Sequence, residues 1–141
     1  MKMIAESNIV SLKKVDRLKD TIRLIYSENH HQLIKDLRKK DIVELIGIAC
    51  DFLQQIHVLF RMIGWLGNTN RFKRFLLAEI SDSTHNLPPV IKNRDINDLT
   101  HYIAEYMCLL LAIKKEFDLV TDLLDDPALV LAVQGLIKEI E

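Results

Sequence analysis

Residues 41–66, with the sequence DIVELIGIACDFLQQIHVLFRMIGWL, constrain the fold more than any other part of the chain. Asp41 followed three residues later by Glu44 is typical of a capping box, in which both side chains accept hydrogen bonds from backbone N–H groups at the start of a helix. Gly67 is suited to the left-handed conformation that ends a helix. Since no proline lies between these signals, the stretch predicts one helix, roughly 39 Å long.

The apolar side chains of this predicted helix occupy more than one face. At 100° per residue, most of them fall within about 140° of arc and form a wide core-facing stripe. The stripe consists of Ile42, Leu45, Ile46, Ala49, Phe52, Leu53, Ile56, Leu59, Phe60 and Ile63. Val43, Val58, Met62 and Trp65 lie on other faces. Because a helix with two apolar faces is normally central in its bundle or placed at a subunit interface, we predict that these four residues form an interface.

Length and charge limit the classes of protein to consider. A chain of 141 residues fits one domain over residues 1–141 and buries roughly 68% of its unfolded surface, enough for its own core. The formal net charge is −1, with 19 basic and 20 acidic residues. Nucleic-acid binders usually carry a basic excess that neutralises phosphate, so this balance argues against a nucleic-acid partner.

The cysteines and the apolar segments bear on cellular location. Cys50 and Cys108 both fall in apolar helical runs, which predicts buried free thiols rather than a disulfide framework. The longest uninterrupted apolar run, Tyr106 to Ile113, is much shorter than the roughly 18 residues that cross a bilayer. The first residues, MKMIAESNIV, reach charged and amide side chains too early for a secretory signal. We therefore expect a cytoplasmic protein with no membrane segment.

The rest of the chain predicts helices only, because no segment shows the alternation of apolar and polar residues that is typical of strands. The predicted order is a helix over 7–27, a junction over 28–31, a short helix up to Lys40, the helix over 41–66, a helix over 71–85, an irregular segment over 86–94, a helix over 95–124 that starts at Asp95 and Asp98, and a last helix from Pro127. Short connections between long helices favour antiparallel neighbours. The sequence therefore predicts an all-α, up-and-down bundle of five to six helices, with long central helices at about 41–66 and 95–124.

The segment from Tyr106 to Ile113 is apolar around its whole circumference. Together with the second apolar face of residues 41–66, it offers more apolar surface than one small core readily hides. Either the two helices cross at the centre of the bundle, or part of their surface is a subunit interface. We favour the interface, and so predict a homodimer.

A short repeated pattern provides candidate metal ligands. Ile80 to His85 and Ile96 to His101 share the pattern Ile-x-Asp-x-Thr-His, which places an Asp and a His three residues apart on one helix face. The candidate ligands are Asp82, His85, Asp98 and His101. Two such pairs on neighbouring helices would imitate the Glu-x-x-His pairs of di-metal bundles and hold a divalent metal. Exposed polar groups at helix ends are the alternative interpretation.

A second pattern, RDINDLTHY, runs from Arg94 to Tyr102. An Arg followed by a polar residue and then, after a short spacing, by His-Tyr resembles the signature of HEPN-type ribonucleases. The resemblance covers these nine residues. It implies that Arg94 would stabilise a phosphate and that His101 would perform acid–base catalysis.

No Gly-rich phosphate loop, no Ser/His/Asp or Cys/His nucleophile grouping and no CxxC pair occurs in the sequence. The first functional hypothesis is therefore a non-enzymatic interaction module without a cofactor, such as a regulator, an adaptor or an immunity-type inhibitor. Its partners would be a second copy of the chain and a further protein. The metal-binding bundle and the ribonuclease are the two alternatives.

Overall fold

The computed structural model describes the backbone of residues 2–63, 71–124, 126–138 and 140, and the side chains of residues 13–61, 71–124, 126–138 and 140. These parts contain α1 (Lys2–Leu37), α2 (Ile42–Ile63), α3 (Arg71–Thr84), α4 (Leu87–Asn93), α5 (Ile96–Lys115), α6 (Phe117–Leu123) and α7 (Pro127–Lys138), and they contain no strand. Since only Glu116 separates α5 from α6, the two can be counted as one bent helix, which gives six. The predicted all-α bundle is confirmed.

Of the two long helices predicted to be central, α5 has the wider contacts. It packs against α1, α2, α3, α4 and α7, with its most extensive contacts to α1. Tyr106, Leu110 and Ile113 on α5 have no exposed surface, whereas Met107 and Leu111 are partly buried. Most of the apolar circumference of this helix is therefore covered within one chain, which weakens the case for a subunit interface at Tyr106 to Ile113.

One face of α2 lies on the core and the opposite face is exposed. Leu45, Phe52 and Leu59 are buried, whereas Val43 is 67% exposed. The predicted capping box is confirmed at its start: the backbone N–H of Glu44 donates to Asp41 Oδ1 over 2.8 Å, and that of Asp41 lies 3.5 Å from Glu44 Oε1. The predicted end, at Leu66 and Gly67, lies outside the described residues.

By length and composition alone, α2 also meets the criteria for a membrane-spanning helix over Ile42–Arg61, with a mean hydropathy of 1.5. Core helices of soluble proteins meet the same criteria. Within the apolar stretch of α2 that meets these criteria, 28% of an 18-residue segment is buried inside the chain. The expectation of a cytoplasmic protein without a membrane segment stays a prediction.

The predicted junction over residues 28–31 is wrong, because α1 continues without interruption to Leu37. Asn29 and the two histidines after it are poor helix formers, which is why the sequence favours a break. In the structure their side chains are accommodated: Asn29 Nδ2 donates to the carbonyl of Ile25 over 2.9 Å, and the ring of His30 packs against α5 through His101. Packing on α5 therefore outweighs the weak local propensity.

The predicted irregular segment over 86–94 is also wrong, since most of it forms α4. The prolines that end α3 occupy the first turn of α4, where a missing N–H costs no hydrogen bond. Leu87 and Val90 are buried and attach the short helix to the core. Arg94 ends it in the left-handed conformation, with φ of 55°, and its backbone N–H donates to the carbonyl of Ile91.

The helix predicted over 95–124 is interrupted at Glu116. Asp95 caps its start as predicted, accepting hydrogen bonds from the N–H groups of Asn97 and Asp98 at 3.0 and 3.1 Å. The break follows neither Gly nor Pro. It lies where the carboxylate of Glu116 reaches α1, 3.1 Å from the guanidinium of Arg17.

Candidate functional site

The Asp and His residues of the repeated pattern do not pair with each other in the structure. Asp82 and His85 are exposed at the end of α3, and His85 Nδ1 lies 2.7 Å from the backbone carbonyl of Asp82 rather than from its carboxylate. Asp98 is exposed in the first turn of α5, while His101 lies near Glu105, with 3.8 Å between Nε2 and Oε2.

Among the side chains that the structure describes, no group of three or more His, Cys, Asp and Glu residues has the arrangement of a metal site. All four candidate ligands belong to the described part. The metal-binding bundle therefore stays a prediction without a preformed ligand set to support it.

The Arg and His of the ribonuclease pattern occupy different settings. Arg94 is exposed, and its backbone ends α4. His101 is half-buried in the second turn of α5, with its ring against those of His30 and Tyr102. The left-handed backbone gives Arg94 a structural role in the turn between α4 and α5, and the ribonuclease hypothesis stays a prediction.

The predicted interface residues fall partly within the described part of the chain. Val43 and Val58 are exposed, at 67% and 47%. The side chain of Met62 and the whole of Trp65 lie outside the described residues. Cys50, predicted to be buried, is exposed on the same helix, whereas Cys108 is buried as predicted.

The exposed valines belong to a continuous surface on α2. Val43, Gly47, Cys50, Gln54 and Val58 are all exposed and fall within about 80° of arc at 100° per residue. We call these five residues the α2 outer face. It is the side of an apolar helix that the chain itself leaves uncovered.

A groove of about 340 Å³ runs along one side of the α2 outer face, between α2 and α7. The lining residues are Gln54, Gln55, Val58, Leu59, Ala132, Gly135 and Leu136. Nearby on α7, Leu131 is 67% exposed. An added Cβ at Gly47 or Gly135 meets no atom of the described residues within 4 Å. Apolar surface and two open glycine positions thus lie together on this side of the bundle.

A second group of side chains, which the sequence did not reveal, joins α1 to α5. The rings of Tyr26 and His30 stack with centroids 4.2 Å apart, and the ring of His30 meets that of His101 edge-on at 5.1 Å. The ring of Tyr102 lies 5.4 Å from that of His101, between centroids. Glu105 Oε2 lies 3.8 Å from His101 Nε2. We call these five residues the histidine cluster.

Within the histidine cluster, the surroundings of His30 and Tyr26 favour their neutral forms. Burial lowers the pKa of His30, and the nearby His101 lowers it further. Burial also raises the pKa of Tyr26, with a smaller contribution from Glu105. His30 Nε2 is buried, and no described residue is its hydrogen-bond partner.

For the histidine cluster, the sequence indicates the contacts within each helix but not the contact between the two helices. Tyr26 and His30, like His101 and Glu105, are four residues apart and therefore neighbours on one helix face. The contact between His30 and His101 joins residues far apart in the chain, and no local spacing indicates it.

Comparison of the chain with protein-family models, with curated proteins and with solved structures gives no match.

Proposed function

We propose that the protein is a non-enzymatic interaction module that forms a homodimer through the α2 outer face. One observation carries the proposal: Val43 and Val58 are 67% and 47% exposed on the side of α2 that faces away from the core, with Gly47 and Cys50 exposed between them. Exposed apolar patches of this kind are typical of protein–protein interfaces.

Gly47 supports close contact with another helix. A glycine inside a helix is destabilising by about 0.5–1 kcal/mol relative to alanine. No atom of the described residues lies within 4 Å of a Cβ built at this position, so packing within the chain gives no reason for the missing side chain. A partner helix whose backbone approaches α2 closely at Gly47 would explain why a side chain is missing there.

The charges on α2 favour a second copy in antiparallel orientation. Glu44 lies in the first turn of the helix and Arg61 in its last turn. A two-fold axis near residue 52 would bring Glu44 of each copy beside Arg61 of the other, and would also align the two helix dipoles favourably. A parallel pairing would instead place like charges together.

In this dimer, the groove between α2 and α7 could receive apolar side chains of the partner copy. Val58 belongs both to the α2 outer face and to the groove wall. An apolar side chain from the partner could enter beside Gly135, where a Cβ would meet no described atom within 4 Å. The groove thus extends the proposed interface from α2 towards α7.

Sedimentation velocity over a range of protein concentrations tests the proposal. We expect wild type to be a dimer and a Val43→Arg/Val58→Arg variant to be a monomer, since the arginines bring like charges into the interface. Leu24→Arg is the matched control, because Leu24 is 46% exposed on α1, away from α2. A monomeric wild type at submillimolar concentration contradicts the proposal. So does equal disruption by Leu24→Arg.

Cross-linking through Cys50 tests the orientation. Cys50 is exposed and Cys108 is buried. Helices that pack about 8–10 Å apart and cross near residue 52 place the two Cys50 thiols within reach of a short bis-maleimide. We expect a covalent dimer that Cys50→Ser abolishes and Cys108→Ser leaves intact. A dimer in solution that gives no Cys50-dependent product would contradict antiparallel pairing of α2.

A further inference from the structure

We propose that His30 and His101 form a pH-sensitive latch that holds the C-terminal half of α1 on α5, closed while His30 is neutral and open when His30 is protonated. The latch goes beyond the proposed dimer, because it uses α1 and α5 and none of the residues of the α2 outer face.

The contact between the two rings carries the proposal. They meet edge-on, with centroids 5.1 Å apart, and His30 is also stacked on Tyr26. Two imidazolium ions at this separation repel each other. The buried His30 Nε2 would in addition hold a charged N–H with no acceptor among the described residues, which is a costly arrangement.

The groups that face His30 act, in balance, against a proton on its ring, and burial is the largest of these effects. From α5, His101 disfavours the proton, whereas Glu105, which lies 3.8 Å from His101 Nε2, favours it by a smaller amount. From α1, His31 also disfavours the proton, and the ring of Tyr26 stacks on that of His30. Protonation of His30 therefore acts against the contact.

Between two apolar anchors of α1, residues 27–32 contain no apolar side chain. Before them, Ile25 packs with Cys108 and Ala112 in a small apolar group separate from the main core. After them, the partly buried Leu33 and Ile34 pack against the main core. Loss of the ring contact would therefore loosen residues 26–32 before the rest of the bundle opens.

The direction of the pH effect follows from the pKa of His30, which is lower in the folded chain than the ordinary value of 6.5. The open segment then binds a proton more readily than the closed one. The latch is fully stable above about pH 6.5 and weakens as the pH falls from there towards the pKa in the folded chain. One histidine changes the opening equilibrium by at most about tenfold per pH unit.

Amide hydrogen exchange between pH 7.5 and 5.5, corrected for the intrinsic rates, tests the latch. In wild type we expect protection of residues 26–32 to fall by up to about tenfold per unit below pH 6.5, while that of α2 stays constant. His30→Phe keeps an aromatic ring that cannot be protonated, and should abolish the fall. His31→Phe makes the same change at the exposed neighbour and should behave as wild type.

Two results overturn the proposal: a constant protection of residues 26–32 in wild type, or an unchanged fall in His30→Phe. If His30→Phe does not fold, the NMR titration of wild type decides. The pKa of His30 should then lie below the ordinary value of 6.5, and a pKa at or above 6.5 overturns the latch.

Discussion

The guanidinium of Arg17 in α1 lies 3.1 Å from Glu116 Oε2, at the residue where α5 ends and α6 has not yet begun. The hydroxyl of buried Thr21 donates to the other carboxylate oxygen over 3.0 Å. Three side chains thus fasten the bend between α5 and α6 to the first helix. The bend follows from a long-range contact and not from a helix-breaking residue.

Glu116→Ala should therefore lower the free energy of unfolding by about 1 kcal/mol. The Arg17 side chain is 65% exposed, so the ion pair alone contributes little, and most of the loss comes from the hydrogen bond with Thr21. Urea unfolding followed by circular dichroism measures the change. Asp122→Ala removes an exposed carboxylate from α6 and is the control; an equal loss in both variants would refute the role of Glu116.

Asp95→Ala should cost about 1 kcal/mol of stability, the usual effect of losing a helix N-cap. The carboxylate accepts from two backbone N–H groups, of Asn97 and Asp98. Asp98→Ala, in the first turn of the same helix, should cost less. It removes a negative charge near the positive end of the helix dipole but leaves the Asp95 cap in place. Thermal unfolding of the two variants gives the comparison, and the reverse order would contradict the capping role.

Gly47→Ala should have opposite effects on the folding of the chain and on its self-association. Since a Cβ at this position has open space around it in the described structure, alanine should stabilise the monomer by about 0.5–1 kcal/mol. If α2 of a second copy packs against Gly47, the same Cβ should weaken the dimer. Gly135→Ala serves as the comparison for the first effect. Unfolding at low protein concentration, together with sedimentation at high concentration, separates the two.

Tyr106→Phe should leave the protein as stable as wild type or more stable. The Tyr106 side chain has no exposed surface, and its hydroxyl has no hydrogen-bond partner among the described residues. Removing an unpaired buried hydroxyl recovers up to about 1–3 kcal/mol of desolvation cost, while the ring keeps its edge-on contact with Phe52 at 4.7 Å. A loss of more than about 1 kcal/mol in thermal unfolding would show that the hydroxyl is bonded.

Glu79→Gln should stabilise the protein at pH 7, and this advantage should shrink as the pH falls towards the ordinary pKa of 4.5. Burial, and then the proximity of Asp82, raise the pKa of Glu79 above its usual value, against a smaller opposing effect of Lys19. The folded state therefore binds this proton more readily than the unfolded state, so the cost of the charge disappears on acidification. Melting temperatures of both proteins from pH 7 to 5 measure the difference. The exposed Glu28→Gln should show no such trend.

Local signals in the sequence identify several features correctly. The Asp41 and Glu44 capping box and the Asp95 cap depend on residues within three positions of each other, and the structure has both. The exposed valines on the second face of α2 follow from helical periodicity. The all-α class needs no more than this information.

The features that the sequence does not predict depend on contacts between distant residues. The continuity of α1 through His30 requires α5 beside it, and the bend at Glu116 requires Arg17. In the sequence, the prolines before Val90 indicate the end of α3, but the same residues can also begin a new helix, as they do in α4. Burial of Tyr106 to Ile113 within one chain depends on how the other helices surround α5.

The central position of α5 has a consequence for how the chain folds during synthesis. Helices α1 to α4 all precede the helix around which they pack. Until residues 96–115 leave the ribosome, the apolar faces of those earlier helices lack their main partner. We therefore expect the earlier helices to fold only after α5 has been made, rather than one after another from the N-terminus.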